Sequence, residues 1–112
     1  MGLFTGVTSP ARRLPDRLED LHGPWAGIVV LPVHLSWHQL REFDVARQQS
    51  RLLLYSIVIS HGRRNDVARF LNAQRLREDW PVLRPLVGNR MRRAVERKLG
   101  LRPADTPLRM PG

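Results

Sequence analysis

Residues 51–60 read RLLLYSIVIS, and this stretch constrains the rest of the chain more than any other. Leu52, Leu53, Tyr55, Ile57, Val58 and Ile59 leave almost no polar side, while Arg47, Gln48, Gln49 and Arg51 make its approach polar. A helix that is hydrophobic all round is a buried one. The pattern predicts a central buried helix over 46–61, closed by Gly62 in the left-handed position that often ends helices. A strand over 52–59 is the alternative, because the run is short and partly β-branched. In both cases the other elements must wrap around this segment.

What can wrap around it is limited. The chain has 112 residues, 42% of them hydrophobic, enough for one modest core and one domain. AGIVVLPVHLSWH (26–38) suits extended structure, with Val33, Leu35 and Trp37 alternating against His34, Ser36 and His38. Pro32 confines it to an edge strand, a bulge or two short pieces. HQLR is expected to turn, and EFDV (42–45) to return as a short strand with Phe43 inward. Such a ribbon is marginal alone and must pack on helices.

Further helices follow the central one. Asn65 is placed to cap a helix over 66–71, and Asn72 to cap a second over 73–80 that Pro81 stops. Asn89 can cap a helix over 90–99 ended by Gly100, with Met91, Ala94, Val95 and Leu99 as its apolar stripe. The expected fold is α+β, mainly α: a short N-terminal β-hairpin packed on a bundle of about four helices. Residues 1–24 mix glycine, proline and charge, and read as a flexible arm in which Leu14, Leu18 and Leu21 could line a short helix. Residues 25–101 form the expected globular domain and 102–112 a disordered tail.

Several function classes drop out. The chain has no cysteine, which removes disulfides, thiol chemistry and cysteine-based zinc sites. Its apolar runs are too short to span a bilayer, and no apolar segment follows Arg12 and Arg13 to make a secretory signal. A cytoplasmic protein without a membrane partner is the expectation. No serine sits in a Gly-flanked elbow, Ser60 and His61 are helix neighbours that point apart, and no glycine loop could cradle phosphate. Asp16, Glu19 and Asp20 cluster on the expected arm, where no catalytic geometry would hold. His34 and His38 share a face, with Glu42 a conceivable third ligand, but two histidines on a polar strand face are ordinary surface residues. No enzyme activity, cofactor or metal is expected.

Binding remains. Nineteen basic residues against ten acidic give +9 at neutral pH, which favours polyanionic or acidic partners. Every basic residue but Lys98 is arginine, a skew that a GC-rich genome also produces without selection for binding. The cluster is densest from Arg84 to Lys98. Arg90, Arg93 and Arg97 share one helix face there, and with Arg84 and Lys98 they are the candidates for binding nucleic acid or an acidic partner. A solvated face of an amphipathic helix is the bland alternative. DVARFLNAQRLREDWP (66–81) has a helix-turn-helix look, but Glu78, Asp79 and Pro81 sit where a DNA-reading helix should continue. Val67, Leu71, Leu76 and Trp80 are expected to pack on the central helix instead.

From 26 to 99 the order of features resembles a group of small actinobacterial proteins. In them a strand and FDL turn lead into an R-x-x-x-Y-x-x-V-L-x-x-G helix, a D-V-x-x-x-L helix and a W-P-x-L segment. Phe43, Asp44, Arg51, Tyr55, Val58, Gly62, Asp66, Val67, Leu71, Trp80, Pro81 and Leu83 fall at the matching places. ARQQS replaces the usual acidic opening of the Tyr helix, and MRRAVERKLG replaces a closing Trp-Glu pair. Some of that group are encoded beside abortive-infection toxins of the nucleotidyltransferase type. The resemblance therefore implies an antitoxin-like or partner-binding role. The absence of catalytic groups and the small core point to a non-enzymatic interaction module, a regulatory partner of another protein. Its expected partner surface lies around Trp25, Trp37 or Trp80. The alternative is a small DNA-binding transcriptional regulator that uses the Arg84–Lys98 face.

Overall fold

The computed structural model describes residues 10–35 and 41–102. Among them the fold is α+β and mainly α: a two-stranded antiparallel sheet, β1 (Ile28–Val30) and β2 (Glu42–Asp44), on four helices. These are α1 (Gln48–His61), α2 (Arg64–Phe70), α3 (Ala73–Leu83) and α4 (Asn89–Lys98). Val29 pairs with Phe43, and both point inward, which leaves Ile28 and Val30 on the outer face.

Helix α1 is the hub. Leu54, Tyr55, Val58 and Ile59 are buried, and Leu52 and Ile57 pack partly buried against the same core. The FDV stretch explains how the chain enters this helix. Phe43 anchors β2, the Asp44 carboxylate accepts from the Ala46 N–H at 3.1 Å, and Ser50 Oγ accepts from the Asp44 N–H at 2.9 Å. Gly62 ends α1 with φ −81°, so the expected left-handed cap is replaced by an extended one. Its glycine is demanded by space instead: a Cβ there would stand 2.6 Å from the Val58 carbonyl oxygen.

Four boundaries differ from expectation, one of them at α4, which begins at Asn89 itself behind Gly88, so that Asn89 is not its cap. Pro32 cuts the extended segment short, because it cannot donate to the ladder; β1 ends at Val30 and Val33–Leu35 curls into a 3-10 turn. Residues 36–40, including Trp37, His38 and most of the expected HQLR turn, lie outside the described residues. Arg63, not Asn65, precedes α2, where the Asp66 carboxylate accepts from the Arg63 N–H at 2.9 Å. Pro81 lies inside α3 rather than stopping it. A proline within a helix costs about 3 kcal/mol, and Trp80 and Leu83, both fully buried on that last turn, offset it. Asn72 does cap α3, accepting from the Arg75 N–H at 3.0 Å, and Gly100 follows α4 with φ 72°.

The expected flexible arm is folded from Pro10 onward. Leu14, Leu18 and Leu21 are all in the core, with 3-10 turns at Pro10–Arg13 and Leu18–Asp20 holding their spacing. Burying three leucines contributes roughly 1.5–3 kcal/mol each, which outweighs the entropy that proline and glycine seemed to signal. Polar ties add to it. Arg13 donates to the Ile59 and Ser60 carbonyls at the C-terminal end of α1, at 2.9 and 2.6 Å, where a cation suits the helix dipole. Lys98 of α4 donates to the Ala11 and Leu14 carbonyls at 2.8 and 3.0 Å.

The same segment continues over the turn between α2 and α3. The His22 and Gly23 N–H groups donate to the Ala68 and Leu71 carbonyls at 2.6 and 2.7 Å. Asn72 Nδ2 donates to the Gly23 carbonyl at 3.1 Å, and the Asn72 N–H donates to the Tyr55 hydroxyl at 3.0 Å. A Cβ on Gly23 would lie 2.3 Å from the Phe70 carbonyl oxygen, so only glycine fits. The turn of the apparent helix-turn-helix is thus covered by the chain itself.

Candidate functional site

Helix α3, the would-be reading helix, is committed to the interior. Leu76, Asp79, Trp80 and Leu83 are buried, alongside Val67 and Leu71 of the preceding helix and turn. Asp79, 2% exposed, takes a forked pair from Arg51 of α1, itself 4% exposed. Nε meets Oδ2 at 2.5 Å and Nη2 meets Oδ1 at 3.0 Å, while Nη1 donates to the Val45 carbonyl at 2.8 Å and Gln48 Nε2 to Oδ1 at 3.2 Å. The Asp79 hydrogen bond outweighs burial and raises the Arg51 pKa above its ordinary value. This is an internal joint between α1 and α3, with the Arg51 and Asp79 side chains both buried.

The three tryptophans part company. Trp80 is fully buried, with Nε1 donating to Glu96 Oε2 at 2.9 Å, so it is withdrawn from the expected partner surface. Its ring is the largest apolar group the core can bury, and Glu96 satisfies its one donor. Trp25 is 44% exposed, with the Arg75 guanidinium 3.6 Å from its ring centroid and Arg75 Nε donating to its carbonyl at 3.1 Å. Trp37 lies outside the described residues. Near Trp25 in sequence, Ile28 (63% exposed) and Val30 (51% exposed) stand outward from β1, and Val33 is exposed beyond them.

The basic cluster also divides. Arg84 is tied to Glu96, Nε to Oε2 at 2.7 Å, so its charge is paired within the molecule. Burial pushes the Glu96 carboxyl up, but the hydrogen bonds from Arg84 and Trp80 and the charges of Arg84 and Arg92 outweigh it and hold it low. Arg92 donates to Asn89 Oδ1 and to the Arg84 carbonyl. Lys98 holds residues 11 and 14 and lies 3.5 Å from Asp16. Arg90, Arg93 and Arg97 remain exposed and without a partner among the described residues. They line an open groove of about 500 Å³ together with Ala94, Lys98, and Pro10 and Ala11 of the first 3-10 turn.

His34 meets a carboxylate. Its Nε2 lies 3.0 Å from Asp66 Oδ2 at the start of α2, and His38 is outside the described residues. Burial pushes the Asp66 carboxyl up, yet the Arg63 N–H and His34 together outweigh it and hold it below the usual range. Tyr55 is the other perturbed group, pushed up to about 12 by burial. Its hydroxyl is occupied by Asn72, which makes it a strut under the α2–α3 turn.

The expected site residues therefore gather only in part. Arg90, Arg93 and Arg97 share the groove, Lys98 forms one wall while working structurally, and Arg84 turns inward. The buried Arg51–Asp79 pair was not anticipated, although an arginine leading an apolar helix run is a signal that it must find a carboxylate. No described helix is long and apolar enough to cross a membrane. No protein-family model, curated protein or solved structure matches this chain.

Proposed function

We propose that the chain is a non-enzymatic interaction module, a regulatory partner of antitoxin-like kind that binds another protein in the cytoplasm. The supporting observation is the outer face of β1. Ile28 and Val30 are large, apolar and exposed on a two-stranded ribbon, and exposed Trp25 precedes them. Soluble folds seldom leave adjacent large apolar groups bare without a use for them. Tryptophan is among the residues that carry most of the energy in protein interfaces, and Trp25 is the anchor of this face.

Nucleic acid is the second reading, favoured by Arg90, Arg93 and Arg97, exposed and without a partner among the described residues. The two differ in salt response, since apolar contacts outlast screening and phosphate contacts do not. The test is capture of partners by the untagged chain in extract from its native cell, with and without nuclease treatment, at low and high salt. An Ile28→Ser/Val30→Ser variant runs in parallel. A protein retained by the wild type at both salts and lost by the variant is the expected result. Recovery of nucleic acid alone, released at higher salt, would transfer the function to the arginine face.

A further inference from the structure

The groove between α4 and the Pro10–Arg13 turn has a chemistry of its own. Its charged wall is Arg90, Arg93 and Arg97, all exposed and unpartnered among the described residues. Ala94, Ala11 and Pro10 give it a small, apolar floor. Residues 1–9, MGLFTGVTS, which lead into its Pro10 end, contain no Asp or Glu. Glu96, on the same helix, is taken by Arg84 and Trp80. The nearby Asp16 lies against Lys98 and Arg64, at 3.5 and 4.0 Å.

We propose that this groove docks an acidic amphipathic helical segment of the partner protein, an assignment that rests on the partner-protein reading above. Arg90, Arg93 and Arg97 follow i, i+3, i+7 spacing, so their Cα atoms span about 10 Å along the helix axis. Carboxylates at i, i+3 or i+4, and i+7 of a second helix repeat that spacing, and each can take a forked pair from a guanidinium. The apolar floor receives the small or aliphatic residues that lie between those acids, the arrangement of a helix in a groove. A phosphate backbone fits less well. Three free cations fall short of the roughly 6–10 phosphate contacts of a strong DNA binder. Among the groove's lining residues there is no aromatic ring on which a base could stack.

The test uses the full chain and three labelled probes, read by fluorescence anisotropy at low salt. They are a helical peptide with Glu in the i, i+4, i+7 pattern over Ala and Leu, a scrambled peptide of identical composition, and a short DNA duplex. The patterned peptide should bind about tenfold tighter than the scrambled one, roughly the value of three exposed ion pairs held in register. An Arg90→Ala/Arg93→Ala/Arg97→Ala variant should lose that preference. An Arg47→Ala/Arg63→Ala/Arg77→Ala variant of equal net charge should keep it, and Ala94→Trp should abolish it by filling the floor. Equal binding of the two peptides, or tighter binding of the duplex that the first variant removes, overturns the proposal. Repeating the capture experiment with the first variant separates two failures. A protein partner held equally by variant and wild type leaves the interaction reading standing and removes the groove; no partner with the wild type removes the interaction reading itself.

Discussion

Arg51 and Arg93 carry the same guanidinium under opposite conditions. Arg51 sits at the α1–α3 joint with every direction occupied: a forked aspartate and the Val45 carbonyl. Arg93 stands in solvent beside Arg90 and Arg97 with no partner among the described residues. The contrast extends to the whole basic set. Where a cation can reach a buried acid or a helix-end carbonyl, as Arg13, Arg51, Arg84 and Lys98 do, it fastens the fold. Where it cannot, it is left as charge to offer elsewhere. A formal charge of +9 thus overstates the charge left free for a partner.

Breaking the inner member of this comparison should have the largest effect. Asp79→Ala leaves the Arg51 charge buried and unpaired, and should destabilise the fold by about 3–5 kcal/mol, measured by denaturant unfolding. A loss under about 1 kcal/mol would mean that Arg51 escapes to water and that the joint is not dry.

The intermediate case is acid titration. Glu96 and Asp66 have folded pKa values held below their ordinary values, so the unfolded chain takes up protons first as pH falls. Their contribution is complete above the ordinary carboxylate range and is lost as pH drops through their lowered folded values. Unfolding midpoints measured from neutral to acidic pH should therefore decline on the acid side, and Glu96→Gln should flatten that decline. A midpoint independent of pH there would show that neither carboxylate is engaged.

The smallest effect belongs to the outer arginines. Replacing Arg90, Arg93 and Arg97 together by alanine should change stability by no more than about 0.5 kcal/mol per site, since nothing described leans on them and alanine favours helix. A cooperative loss of several kcal/mol would mean that they hold structure after all, and the comparison with Arg51 would collapse.

Patterns local to the chain were legible. The apolar run 52–59 gave the central helix, Asn72 gave a cap and Gly100 a stop, and Phe43 was read as inward. Local breakers misled where distant contacts outweighed them. Pro10 and Pro15 suggested a loose arm, yet Leu14, Leu18 and Leu21 fold it onto the helices, and Pro81 is carried within a helix whose neighbours are buried. Of the groove, the i, i+3, i+7 arginine face was visible in the sequence. Its second wall was not, because Pro10 and Ala11 reach α4 from some 80 residues away in the chain.

By itself, then, the sequence determined the periods: which segments are helical, that one modest core forms, and that the surface is strongly basic. Periodicity and capping act within a few residues, so one chain carries them openly. Only the tertiary structure decided which polar groups were spent. It buried Trp80 and bound it to Glu96, turned Arg84 inward, set Lys98 to hold the N-terminal segment, and left Arg90, Arg93 and Arg97 without a partner among the described residues. The physical reason is that a charge's role depends on who meets it across the fold, and that meeting is set by packing, not by its neighbours in sequence.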